Sequence, residues 1–354
     1  MLLVRAPGRV NLIGDHTDYQ DGLCLPMAID RAVEVRARER GDGIVVARSD
    51  AIVGIVELPA DGTTDPASVE PRWGRSVAAV LQVLAERRRP AIGFDAEVSS
   101  TVPLGSGLSS SAAFTVGVVM AAAELGGLAL DRRSIALAAQ AAEQRATGLP
   151  CGVMDQMASV FGRAGHALLL DCRSLAIEAV PLPAEAAVVV VHTGVARRLE
   201  DSAYAERRAA CEAAAARLAV ATLRDATPVQ VADDPFAQHV VSENQRVLDF
   251  VDALRAGDLD RCGRLMSASH ASLRDDFLVS TDALDALVDA LVDAGAYGAR
   301  LTGAGFGGCV VALVAGDAVD DIIARADARY RSATGLTPMP MVVHAVDGAG
   351  RAVD

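Results

Sequence analysis

Lysine is missing altogether: all 33 basic side chains among the 354 residues are arginine. Its absence excludes Schiff-base chemistry, a lysine general base and the lysine of a Walker-type phosphate loop. Positive charge is also in deficit overall, with a formal net charge of -13 and a pI near 4.9. That balance argues against a nucleic-acid partner or an anionic membrane surface. No apolar run reaches the roughly 18 residues of a membrane span. The first 25 residues lack the ordered regions of a signal peptide, and Arg9 and Asp15 interrupt them. The six cysteines are scattered without a Cys-x-x-Cys spacing, which reads as reduced thiols in the cytoplasm and not as a metal site.

What is present is apolar surface, 51% of residues, in a chain long enough for two lobes. Strand-like pieces at Leu2–Arg5, Val33–Arg38 and Ile44–Ala47 precede a helical pattern over Arg75–Glu86. Phe94–Val102 alternates like a half-buried strand, and Ala112–Leu125 reads as a buried helix. Asp131–Thr147 is a further helix, with Asp131 as N-cap and Gly148 just past its end. A buried strand at Ala187–His192 restarts the pattern. Helices follow at Tyr204–Leu218, Glu243–Arg255, Asp258–Leu273 and Thr281–Ala294, then a glycine turn and strand over Leu301–Val314 and a last strand at Pro340–Val346. The mixture predicts an α+β fold in two lobes, residues 1–172 and 173–354, with the boundary near 165–185.

Chemistry concentrates in a few segments. Residues 8–22, Gly-Arg-Val-Asn-Leu-Ile-Gly-Asp-His-Thr-Asp-Tyr-Gln-Asp-Gly, end an apolar run in a dense polar cluster. Donors and acceptors packed so tightly suit a polyhydroxylated ligand, each of whose buried hydroxyls needs a partner. Residues 103–113, Pro-Leu-Gly-Ser-Gly-Leu-Ser-Ser-Ser-Ala-Ala, join a strand to a helix. Backbone N–H groups converging at a helix start bind phosphate without lysine. The dinucleotide fingerprint fails here, because Ser110 stands where it needs a third glycine. A plain serine N-cap with a tight glycine turn explains the segment equally well on its own.

Thr302-Gly303-Ala304-Gly305-Phe306-Gly307-Gly308-Cys309 is a second glycine-rich turn, suited to wall the same site from the other lobe. Cys151-Gly152-Val153-Met154-Asp155-Gln156 sets a carboxylate among apolar neighbours, where it needs a partner. Arg9 is the natural one, since a guanidinium fork would hold Asp155 in place and ionised. Glu143, on the preceding helix, is a candidate Mg²⁺ ligand, or alternatively part of a solvated helix face.

Together these segments resemble the galactokinases, members of the GHMP superfamily of small-molecule kinases, and the match runs in order along the whole chain. The resemblance implies an N-terminal lobe like domain 2 of ribosomal protein S5, a ferredoxin-like C-terminal lobe and an active site between them. It implies that Asp15, His16, Thr17 and Asp18 meet sugar hydroxyls, with Gly152 and Tyr204 completing the pocket. Asp155 would orient or deprotonate the anomeric hydroxyl, and Arg9 would stabilise the transferring charge. Gly105, Ser106, Gly107, Leu108, Ser109, Ser110 and Ser111 would wrap the ATP phosphates, with Ser49 touching the nucleotide and Ser111 and Glu143 at Mg²⁺. The implied activity is ATP-dependent phosphorylation of α-D-galactose to its 1-phosphate, by a cytoplasmic monomer or dimer. A kinase for a 6-deoxy or N-acetylated galactose, or a non-catalytic galactose and ATP sensor, remain the alternatives. Asp15 stands where the family usually has glutamate, which shortens the carboxylate's reach by one methylene.

Overall fold

The computed structural model describes residues 1–195 and 201–352. Its first half forms strands β1 (Leu2–Asn11), β2 (Leu23–Cys24), β3 (Pro26–Arg40), β4 (Ile44–Ser49), β5 (Ile55–Pro59) and β6 (Gly93–Ser100), with helix α1 (Gly74–Glu86) before the last. β6 shows the period-2 logic directly. Phe94, Ala96 and Val98 are buried, while Asp95 on the other face takes Arg38 and Arg40 from neighbouring β3. Helices α2 (Ser110–Leu125), α3 (Arg132–Thr147) and α4 (Met154–Phe161) follow. α2 is apolar nearly all round because it packs on β1 and β3 and also beneath α1, α3 and α4. α3 starts and stops where its sequence says: the Asp131 carboxylate accepts the Ser134 N–H, and Gly148 ends it at φ +75°.

A hairpin, β7 (His166–Asp171) and β8 (Ala176–Pro181), leads to β9 (Ala186–His192). Helices α5 (Asp201–Arg217), α6 (Pro235–Ala256), α7 (Leu259–Asp275) and α8 (Asp282–Asp293) come next. The chain closes with β10 (Gly298–Thr302), β11 (Cys309–Ala315), α9 (Val319–Thr334), β12 (Met339–Val343) and β13 (Gly350–Arg351). Strand order is β13-β1-β3-β6-β4-β5 in a six-stranded sheet, β10-β11-β9-β12 in an antiparallel four-stranded sheet, and β2-β7-β8 in a small third one. The four-stranded sheet, with helices after β9 and after β11, has the β-α-β-β-α-β ferredoxin-like arrangement. Its central strands are continuous apolar runs because both faces are covered. Val188, Val190, Val311 and Leu313 face the core that extends into the N-terminal half, whereas Val189, Val191, Val310 and Ala312 face the one beneath α8 and α9. Among the described residues no helix is long and apolar enough to cross a membrane.

One expectation changes. Pro340–Val346 is not the last strand: β12 stops at Val343, and β13 follows it to pair with β1 (Val4 opposite Arg351). Residues 172 and 173 lie in the turn between β7 and β8, which share one sheet with β2.

Candidate active site

The ends of β1 and α3, the starts of α1, α2, α4 and α5 and the turn between β10 and β11 surround a cavity of about 650 Å³. That volume lies within the roughly 300–1,000 Å³ usual for small-molecule sites. Gly14, at φ +97°, turns the chain sharply after β1; a Cβ there would sit 2.6 Å from the Leu23 carbonyl oxygen. The turn delivers Asp15, His16, Asp18 and Tyr19 to the cavity wall. The His16 Nε2–H donates to the Ala304 carbonyl (3.2 Å), which leaves Nδ1 to accept the Tyr19 hydroxyl (3.0 Å). Tyr204, from α5, crosses the Tyr19 ring edge-on, with centroids 5.6 Å apart. Arg208 lies over Tyr19 and donates to the Pro150 carbonyl, tying α5 to the loop before α4.

The opposite wall is the serine-rich loop. Ser109 occupies the N-cap position of α2 but adopts φ +60° and makes no side-chain cap. Its hydroxyl donates instead to Asp155 Oδ2, so the helix's first N–H groups stay available to an anion. That geometry rejects the plain N-cap explanation of the loop. Arg9 Nε and Nη2 donate to the two Asp155 oxygens at 2.7 and 2.9 Å, and Nη1 donates to the Gly107 carbonyl at 2.6 Å. One guanidinium therefore fixes both the carboxylate and the phosphate-type loop.

Asp18 lies so close to Gly152 that a Cβ there would come within 1.7 Å of its Oδ2. Burial, with the nearby negative charges of Asp155 and Asp15, pushes the Asp18 carboxyl up to about 7. Burial, seconded by the charge of Asp155, likewise raises Glu143 to about 7, although Ser111 Oγ and Gln156 Nε2 each donate to it at 2.5 Å. A hydroxyl and a carboxylate held side by side at a helix N-terminus have the donor chemistry that suits Mg²⁺, which takes one or two protein oxygens. The Gln156 Oε1 beside them is buried without a partner.

Of the remaining candidates, Gly105, Gly107, Ser110 and Ser111 line the cavity and four others do not. Thr17 is fully buried, its hydroxyl donating to the Gly14 and Leu23 carbonyls, and it clips the turn shut without reaching the cavity. The Ser106 hydroxyl donates to Pro103, and Leu108 is a core residue whose carbonyl accepts the Arg9 N–H. Both shape the loop from behind. Ser49, at the end of β4, accepts the Ala51 N–H away from the cleft. Arg72, Trp73, Arg75 and Ser76, before and at the start of α1, line the cavity instead. Sequence reasoning passed over them, although the chain's one tryptophan next to arginine was a visible signal. Asp15 is drawn inward, its Oδ1 accepting the Gly303 N–H (3.0 Å) and its Oδ2 2.6 Å from Arg300.

Residues 2–39 match the galactokinase galactose-binding signature, 75–163 the GHMP kinases N terminal domain and 250–332 the GHMP kinases C terminal. The galactokinase of Chloroflexus aurantiacus is 47% identical over 98% of this chain and 92% of its own length. That of Roseiflexus sp. is 44% identical over 100% of this chain and 93% of its own. Lactococcus lactis galactokinase, solved in complex with galactose, superposes with a TM-score of 0.93 at 32% identity, covering 99% of this chain and 95% of that one. A mevalonate kinase, 21% identical with a TM-score of 0.72 over 98% of this chain and 100% of that one, shares the fold.

Proposed function

Since the chain belongs to the galactokinases among the GHMP kinases, we propose that the residues gathered at its cleft divide that family's reaction as follows. The enzyme transfers a phosphoryl group from ATP to the anomeric hydroxyl of α-D-galactose, giving α-D-galactose 1-phosphate. His16, Asp18, the Gly152 backbone and Tyr204 receive the sugar, with Asp15 at the base of the turn. Asp155 accepts the anomeric O–H and aims its oxygen at the nucleotide. Phosphoryl transfer asks chiefly for alignment and for charge placed in advance, which the Arg9 fork supplies by locking Asp155 to the phosphate loop. Backbone N–H groups over residues 105–111 receive the phosphates. Ser111 and Glu143 would hold Mg²⁺, which neutralises phosphate oxygen charge when bound. Six unpaired thiols fit a cytoplasmic enzyme.

The observation that carries this division is the shared anchoring of Asp155 by Arg9 and Ser109. Asp155→Asn keeps the shape and removes the base. Its kcat should fall about 10²- to 10⁴-fold, the usual worth of a positioned base, while galactose still binds. ADP release coupled to a chromogenic reaction, run over a panel of free sugars with calorimetric sugar titrations, measures both. Wild-type turnover in Asp155→Asn, or faster turnover of glucose than of galactose by the native enzyme, would refute the assignment.

A further inference from the structure

Arg300, on β10, has no exposure to solvent, an unfavourable state for a guanidinium without compensation. Its Nη1 lies 2.6 Å from Asp15 Oδ2 and 3.4 Å from the Asn11 and Leu12 carbonyls, while Nε donates to Ser269 Oγ on α7 at 3.1 Å. Ser269 in turn donates at 2.5 Å to Glu243 Oε1 on α6, and that same oxygen accepts the Gly14 N–H at 3.0 Å. Glu243 is buried as well, and Arg246 balances it at 2.6 Å. Three elements of the C-terminal half thus converge on residues 11–15, the stem of the turn that carries His16 and Asp18. Asp15 also accepts the Gly303 N–H, and a Cβ on Gly303 would approach the Gly107 carbonyl oxygen to 3.3 Å.

We propose that Arg300 is a positioning residue for the sugar: acting through Asp15, it sets the seat of the Asp15–Asp18 turn in the cleft, with Ser269 and Glu243 as its support. The proposal deepens the galactokinase reading and rests on it. Without the guanidinium, Asp15 would be a carboxylate stranded at 2% exposure. It would have to take up a proton or turn outward, and either change moves the sugar turn. Arg9, Asp155 and Ser109 make no hydrogen bond to Arg300 among the described contacts, so the transfer machinery should stand.

The test is Arg300→Met in the full chain, with galactose and ATP varied separately and galactose binding followed by calorimetry. Both the KM and the Kd for galactose should rise at least about tenfold, with the KM for ATP within about twofold of wild type. Adding Asp15→Asn to Arg300→Met should recover part of the galactose affinity, because no charge is then stranded. A simple packing defect would not respond to that second change. An unmoved galactose KM, or equal losses toward both substrates, overturns the proposal. Should Arg300→Met fail to fold, Ser269→Ala decides. A rise of about threefold in galactose KM alone supports the proposal, and no rise refutes it. Absence of galactose turnover in the wild-type chain would defeat the galactokinase reading itself, whereas normal turnover with an unmoved KM in the variants defeats only the role given to Arg300.

Discussion

At the scale of single residues, Asp18, like Glu143, is a group whose charge state the site leaves open. Its ordinary value is 3.8, and burial beside Asp155 and Asp15 carries it to about 7 in the folded protein. Between those values the folded state keeps a proton that the unfolded chain has released. Stability from this group is therefore present below the unfolded value and lost as pH rises toward 7. Sugar binding at Asp18, as proposed above, runs the other way, because an ionised carboxylate is the better acceptor for sugar hydroxyls. The galactose KM should accordingly fall as pH rises through about 7 and level off above it. Asp18→Asn should flatten the trend in KM measured from pH 5.5 to 8.5 and weaken, without abolishing, the stability trend in thermal melts without ligand, since Glu143 is raised to about 7 as well. A KM profile that keeps its slope in Asp18→Asn would assign the titration elsewhere. Residues of this kind divide into those legible in the sequence and those that were not. Arg9 and Asp155 were, since a lone carboxylate in an apolar segment demands a cation and this chain has only arginine to offer. Thr17 looked like its neighbours, yet its hydroxyl is consumed by the turn. Arg300 was invisible because its partner lies 285 positions away, and nothing in its own surroundings shows that it is buried.

At the scale of elements, the glycine-rich turns were legible as turns, while what each glycine makes room for was not. Gly152 is the sharpest case, because its missing side chain is the space that Asp18 occupies. Gly152→Ala should leave the fold intact, since the obstructed atoms are the free end of a side chain. It should raise the galactose KM at least about tenfold by displacing that carboxylate, with a smaller effect on ATP. Gly148→Ala is the matched control. It sits at φ +75° with nothing within 4 Å, so it should lower stability by about 1 kcal/mol and leave kinetics alone. Thermal melts and steady-state kinetics on the pair separate space from backbone strain, and similar kinetics in the two would discard the packing argument. Capped helices such as α3 were equally legible, because Asp131 and Gly148 act locally. β5, the β7–β8 hairpin and α9 were not foreseen. The strands are five or six residues long, too few for a period to stand out, and α9 hides Ile322, Ala326 and Tyr330 among aspartates and arginines.

At the scale of the whole molecule, the chain finishes in the half where it began, a closure that sequence periodicity cannot reveal because the pairing partners lie at opposite ends. After β12 the backbone crosses back: Val346 N–H donates to Ala28 at 3.1 Å, Gly348 to Gly162 at 2.8 Å and Ala349 to Ser159 at 2.7 Å, before β13 pairs with β1. Ser159 and Gly162 mark the last turn and the end of α4, the helix whose first turn carries Asp155. Ser159 also donates from its hydroxyl to Pro7 on β1, two residues from Arg9. The returning tail therefore braces both partners of the Arg9–Asp155 fork from behind. Ending the chain after Val343 removes these bonds, each worth about 0.5–1.5 kcal/mol net, and uncovers the part of the core that the buried Ala349 closes. The melting temperature should drop by several degrees. Because α4 and β1 lose a shared support while the sugar turn keeps its anchors on α6, α7 and β10, kcat should fall more than galactose affinity does. A truncated enzyme that melts and turns over like the full chain would show the tail to be a passenger. A loss confined to galactose affinity would mean that the brace acts on the sugar turn and not on the fork.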